Sequence, residues 1–138
     1  MQDVGHAQWV FTVPKMLRVY FLHHRELLGA LSLAAYQTVK ELMAAAVEEK
    51  GFRPGVVSVV QTFADQANFH PHVHALVSRG GWTASGGWIP VPSVDEGAAE
   101  KLFRRGAGPL HDALPGEPLP ASLHARLARD RLPAQARA

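Results

Sequence analysis

The 138 residues contain no cysteine. That excludes a disulfide framework, a thiolate-held zinc or iron–sulfur centre and a thiol nucleophile, and makes a reducing, cytoplasmic setting the expectation. No run approaches the ~20 uncharged apolar residues that a membrane-spanning helix requires, so no membrane partner is expected. The longest apolar helical stretch is broken by Arg25, Glu26, Lys40 and Glu41. No basic region follows Met1, so no secretory signal is expected. Aromatic and β-branched residues are absent from the last 33 positions, which hold five of the ten prolines. A stretch so poor in core-forming side chains is expected to be a disordered or low-order tail, 106–138, behind a single folded domain, 1–105. With 47% apolar and 19% charged residues, the chain as a whole is too apolar for a fibrous or disordered protein.

Charge is unevenly divided. The formal net charge is +2, but residues 101–138 hold seven basic and three acidic groups, leaving residues 1–100 with seven basic against nine acidic. A basic balance points to nucleic acid when it belongs to the folded part. Here it belongs to the tail.

Gln8 to Val13, rich in aromatic and β-branched residues and stopped by Pro14, is expected to be a strand. A short amphipathic turn, Lys15 to Leu22, follows. From Arg25 to Lys50, Leu27, Leu28, Leu31, Ala34, Ala35, Val39, Leu42, Met43 and Ala46 recur at three- and four-residue steps. That periodicity predicts one long helix, with Gly51 placed as its stop. Val56 to Phe63 carries four valines in eight residues and is expected to be a buried strand. The polar linker 65–68 leads to a further strand, His70 to Ser78, closed by Gly80-Gly81; the two strands are expected to pair as an antiparallel hairpin. A weak extended pair should flank Gly86-Gly87, and Asp95 to Arg105 a short helix. The pattern gives an α+β fold, a small antiparallel sheet with flanking helices and the histidine strand central.

The site-like constellation is His70-Pro71-His72-Val73-His74. Alternation along a strand puts His70, His72 and His74 on one face, with successive histidines ~6–7 Å apart at Cα. Imidazoles so spaced converge on one divalent ion and leave positions for water or substrate oxygens. The plainer reading is a row of half-buried structural histidines. Folding the hairpin about Gln66-Ala67 puts Gln61 opposite the His72–His74 region. A polar residue inside a valine strand is a ligand, a hydrogen-bond partner for an imidazole, or a solvent-facing side chain. Asp65, in the turn, is expected to cap local backbone. His23 and His24 read as a surface pair, and His6, His111 and His124 have no context that raises them above solvated side chains.

These residues resemble a known family. HPHVHALV, preceded by VVSVVQTFADQANF, is similar to the metal-binding segment of the HUH rolling-circle transposases of the two-tyrosine insertion-sequence group. The resemblance extends back through QWVFTVPKMLRVYFLHHRELLGAL, covers residues 7 to 105, and is most specific over 56–78. It implies an HUH-endonuclease-like sheet, with His72 and His74 as ligands of Mn or Mg and His70 assisting; Gln61, from the hairpin register, is a further candidate donor. It also implies single-stranded or hairpin DNA as partner, nicked by a tyrosine that becomes covalently joined to the DNA.

The chain departs from the family pattern. Family nucleophiles follow the histidine strand, whereas the two tyrosines here, Tyr20 and Tyr36, precede it. The cysteine-rich zinc region is missing, and Ala64 stands where the family has Gly. After Phe103-Arg104-Arg105 the composition turns abruptly to Ala, Arg, Pro and Leu, as a frameshift in GC-rich coding DNA would produce. The expectation is therefore a truncated transposase, incomplete in fold and inactive alone. Tyr36 remains a remote candidate nucleophile through the permuted order of the related relaxases. The alternative is a small non-catalytic metal- or DNA-binding domain whose basic tail contacts phosphates.

Overall fold

The computed structural model describes residues 4–91 and 93–106. The tail expected over 106–138 therefore lies, from residue 107 onward, outside the described residues, as do His111 and His124. In chain order the elements are strand β1 (His6–Thr12), a 3-10 turn (Lys15–Leu17), helix α1 (Arg18–His23) and helix α2 (Glu26–Val47). Strand β2 (Arg53–Phe63), strand β3 (Phe69–Trp82), strand β4 (Trp88–Pro90) and helix α3 (Glu96–Gly106) follow. The fold is α+β, an antiparallel sheet in the order β1-β3-β2, with β4 on the C-terminal end of β3. The histidine strand is central.

One face of the sheet carries the core. Trp9 and Phe11 of β1 and Val73, Ala75 and Val77 of β3 point to it and are buried. Onto them α2 lays Leu27, Leu31, Ala34, Ala35, Val39, Leu42 and Met43, seven of the nine residues its periodicity singles out; Leu28 is half-buried and Ala46 exposed. Its alanines let the helix lie close to the sheet, and Ser32 on α2 is hydrogen-bonded to Ser58 on β2 at 3.1 Å. Helix α3 closes the same side through Ala99 and Phe103, one turn apart, with the Phe103 ring 4.8 Å from that of Phe11. Each large apolar side chain so buried contributes ~1.5–3 kcal/mol.

Three expectations are corrected. The valine strand is not buried on both faces: Val57 is 66% and Val59 55% exposed. Both α2 and α3 pack on the other face, so alternate valines of β2 face outward. Strand β3 does not close at Gly80-Gly81 but runs to Trp82. A Cβ on Gly80 would lie 2.6 Å from the Trp88 ring, and one on Gly81 2.5 Å from the Phe52 ring, so these glycines serve close approach within the sheet. Helix α2 stops at Val47, three residues before Gly51 is reached. Glu48 takes the left-handed conformation (φ 53°), and the Glu49 N–H reaches the Ala44 carbonyl at 3.3 Å, the six-to-one closure of a helix C-terminus.

Helix α3 starts on a side-chain cap. The Asp95 carboxylate accepts from the backbone N–H groups of Gly97 (2.8 Å) and Ala98 (3.2 Å), two donors the helix leaves without internal partners. Asp95→Ala is expected to cost about 1 kcal/mol in chemical denaturation, whereas Asp95→Asn should be close to neutral. Equal loss in both variants would show that charge, not capping, matters there.

Candidate functional site

The face opposite α2 and α3 carries Thr12, Gln61, His72 and His74. Antiparallel partners share a face, and Thr12, His72 and Gln61 form one row across β1, β3 and β2. Val10, His74 and Val59 form the next row. His72 and His74 are therefore neighbours on the face opposite α2 and α3, with ring centroids 4.9 Å apart, and His70 lies 5.3 Å beyond His72 on the same strand. His72 is buried at 8% exposure, while His74 is half-buried.

The hydrogen bonds decide what each ring presents. His72 Nδ1 lies 2.6 Å from the His70 carbonyl oxygen, which accepts only, so a proton sits on Nδ1 and, in the neutral ring, Nε2 is left as a bare lone pair. That lone pair faces Gln61 Oε1 at 3.2 Å. Two acceptors facing each other at this distance call for a second proton on the ring, for a half-turn of the amide, which would bring its N–H to the ring, or for a cation between them. Of the three readings open to Gln61, the structure gives contact with the imidazole. At His74 the ring Nδ1 is 3.2 Å from Gln8 Nε2, an amide that donates. Donation there places the His74 proton on Nε2; an amide turned to offer its oxygen would bare Nε2 instead.

Gln8 escaped sequence reasoning. Its signal was present in the alternation of Gln8, Val10 and Thr12 against buried Trp9 and Phe11, but only the pairing of β1 with β3 brings it to His74. Arg18 escaped it too. As the first residue of α1, which packs against β3, it stands near enough to His70 to disfavour protonation of that imidazole. Burial is the larger cause lowering the His70 pKa, with the Arg18 charge next and His72 last. Burial also lowers the pKa of the Arg18 guanidinium from its usual value. Both His70 Nε2 and Arg18 Nε are buried without a hydrogen-bond partner.

The other candidates lie elsewhere. Asp65 is exposed, and its backbone carbonyl, not its carboxylate, accepts from the Asn68 N–H. His24 pairs with Glu26 at 3.2 Å, and His6 and His23 are exposed. Tyr36 is exposed on α2, the helix that covers the opposite face of the sheet from His72 and His74. Among the described residues no three His, Cys, Asp or Glu side chains gather as an ion-binding group. An ion held by the two histidines would thus take its further donors from Gln61, water or a bound oxyanion. The donor set fits a divalent ion in one respect: with Nδ1 donating to the His70 carbonyl, the neutral His72 ring turns its Nε2 lone pair toward the Gln61 amide. No described helix is long and apolar enough to cross a membrane.

Residues 55–106, which hold the histidine strand and α3, match a family model described as "Putative transposase". Over 119 residues the chain is 33% identical to the transposase for insertion sequence element IS801 of Pseudomonas savastanoi pv. phaseolicola. The aligned stretch takes in 86% of this chain and 27% of that protein, so the chain spans about a quarter of the length of this curated relative. No solved structure matches it.

Proposed function

We propose, from the family match over residues 55–106 and the 33% identity over 119 residues, that the chain is part of an insertion-sequence transposase and that its histidine strand is the divalent-ion half of a site that nicks and transfers single-stranded or hairpin DNA, of the HUH rolling-circle kind. The observation that carries this reading is the side-by-side placement of His72 and His74 on the sheet face opposite α2 and α3, with Gln61 against the bare nitrogen of His72.

His72 and His74 hold the ion, and Gln61 Oε1 adds an oxygen donor. His70 acts through its carbonyl, which orients the His72 ring and fixes its proton away from the ion. Gln8 does the same for His74 once its amide presents oxygen to Nδ1. Two neutral imidazoles suit Mn better than Mg, which prefers oxygen ligands throughout. When bound, the ion supplies charge neutralisation and polarisation of a phosphodiester oxygen. A tyrosine hydroxyl is the nucleophile such a cleavage needs. Tyr36 is held on the far side of the sheet and does not fill that role. The 138 residues by themselves therefore bind the ion and DNA without completing the reaction, in a cytoplasmic setting where DNA is accessible.

Titrating Mn²⁺ into the purified chain by calorimetry tests the reading. His72→Ala and His74→Ala are each expected to weaken binding roughly tenfold or more, and His6→Ala, at an exposed site, to leave it unchanged. Undiminished binding in both histidine variants would remove the site. With Mn²⁺ and single-stranded DNA, a denaturing gel should show no covalent adduct; an adduct abolished by Tyr36→Phe would refute the assignment of that tyrosine.

A further inference from the structure

Arg18 is a half-buried guanidinium with no counter-anion among the described residues. Its Nε lies below solvent contact without an acceptor, and among the described residues no carboxylate forms an ion pair with it. The neighbouring His70 Nε2 is orphaned in the same way. Helix α1 packs on β3 and the Arg18 charge is felt at His70, so both unpartnered nitrogens lie toward the His70 end of the row formed by the rings of His70, His72 and His74. Orphaned buried donors are rare in folded proteins, because each loses its hydrogen bond to water without replacement. An unpaired charge is costlier still. Arg18 Nε lacks an acceptor, and among the described residues no carboxylate supplies one.

We propose that Arg18 is a phosphodiester-binding residue, taking a DNA phosphate oxygen at the edge of the histidine site. The proposal rests on the reading of that site as one that meets DNA. The planar guanidinium matches two phosphate oxygens with parallel N–H donors, which an ammonium group cannot do. Placement beside the histidines has a consequence for the ion as well. Without DNA, a fixed positive charge there opposes a divalent cation; with a phosphate between them, each favours the other. Ion and DNA binding are thus coupled through Arg18, and the coupling is reciprocal.

The test compares the full chain with its Arg18→Gln and Arg18→Lys variants. Fluorescence anisotropy follows a labelled single-stranded oligonucleotide in EDTA and in Mn²⁺, over a range of salt. Arg18→Gln is expected to weaken binding roughly tenfold in EDTA. It should also flatten the dependence of log K on log salt by about 0.7, the loss of one phosphate contact on a single strand. Arg18→Lys should keep the slope and lose part of the affinity. The Tm of Arg18→Gln should equal or exceed that of the wild type, because an orphaned donor has been removed. Mn²⁺ binding without DNA should be equal or tighter. Unchanged affinity and slope in Arg18→Gln would overturn the proposal, as would a lowered Tm with an unchanged slope, which marks a structural residue. A wild-type chain that binds no oligonucleotide would overturn it as well. Loss in EDTA from a chain that takes up no Mn²⁺ would leave Arg18 a phosphate ligand while the ion site failed.

Discussion

Leu31→Asp is expected to leave the chain without a cooperative unfolding transition at room temperature. Leu31 is wholly inaccessible, on the stripe of α2 that lies over the core face of the sheet. Truncating a leucine in such a place costs about 2–5 kcal/mol. A carboxylate put there adds the penalty of burying a charge without a partner, several kcal/mol more. Against a total stability of about 5–15 kcal/mol for a small domain, the sum is enough to unfold it. Far-UV circular dichroism against urea checks the result. Leu33→Asp, two residues along on the same helix but 55% exposed, should melt within about 0.5 kcal/mol of the wild type. A Leu31→Asp protein that melts near the wild-type midpoint would show that α2 does not pack as described.

Gly81→Val should be nearly as damaging, for a steric reason. A Cβ at this position would meet the Phe52 ring at 2.5 Å and the Arg53 carbonyl oxygen at 2.6 Å. Phe52 is 1% exposed and has no space to withdraw into, and Arg53 is held in register with Trp82. Neither neighbour can yield without opening the hairpin between β2 and β3, so a loss of about 3 kcal/mol or more is expected. Gly29, on α2, has nothing within 4 Å of an added Cβ. Gly29→Ala should therefore stabilise the helix by about 0.5–1 kcal/mol. Equal outcomes at the two glycines would mean that chain flexibility, not close approach, governs position 81.

Much of the architecture is written locally. The stripe from Leu27 to Met43 is read at three- and four-residue steps, because a helix repeats its geometry every 3.6 residues. Of that stripe all but Leu28 are buried on α2, and Thr38 is buried with them. The polar linker before the histidine strand is short enough to make an antiparallel hairpin, and counting across it brings Gln61 to His72, the observed register. Alternation then puts the three histidines on one face. These features depend on neighbours along the chain or across one tight turn, so a periodic pattern carries them.

Other features depend on what packs against what, and no periodicity reports that. Four valines in β2 read equally well as a strand covered on both faces or on one. Only the arrival of α2 and α3 on the same side leaves Val57 and Val59 facing outward. Gly80 and Gly81 look like a strand end until Phe52 and Trp88 are brought against them. Glu48, with no glycine to announce it, takes the left-handed turn that ends α2. Gln8 and Arg18 reach the histidines from 66 and 52 positions away in sequence, one by strand pairing and one by the packing of α1 on β3. The sequence by itself determined which side chains share a strand face or a helix stripe, because those relations are set by backbone repeat. The tertiary structure alone decided which face is covered, which glycines are squeezed and which distant side chains stand beside His70 and His74. Those relations come from contacts between segments whose meeting the local pattern does not encode.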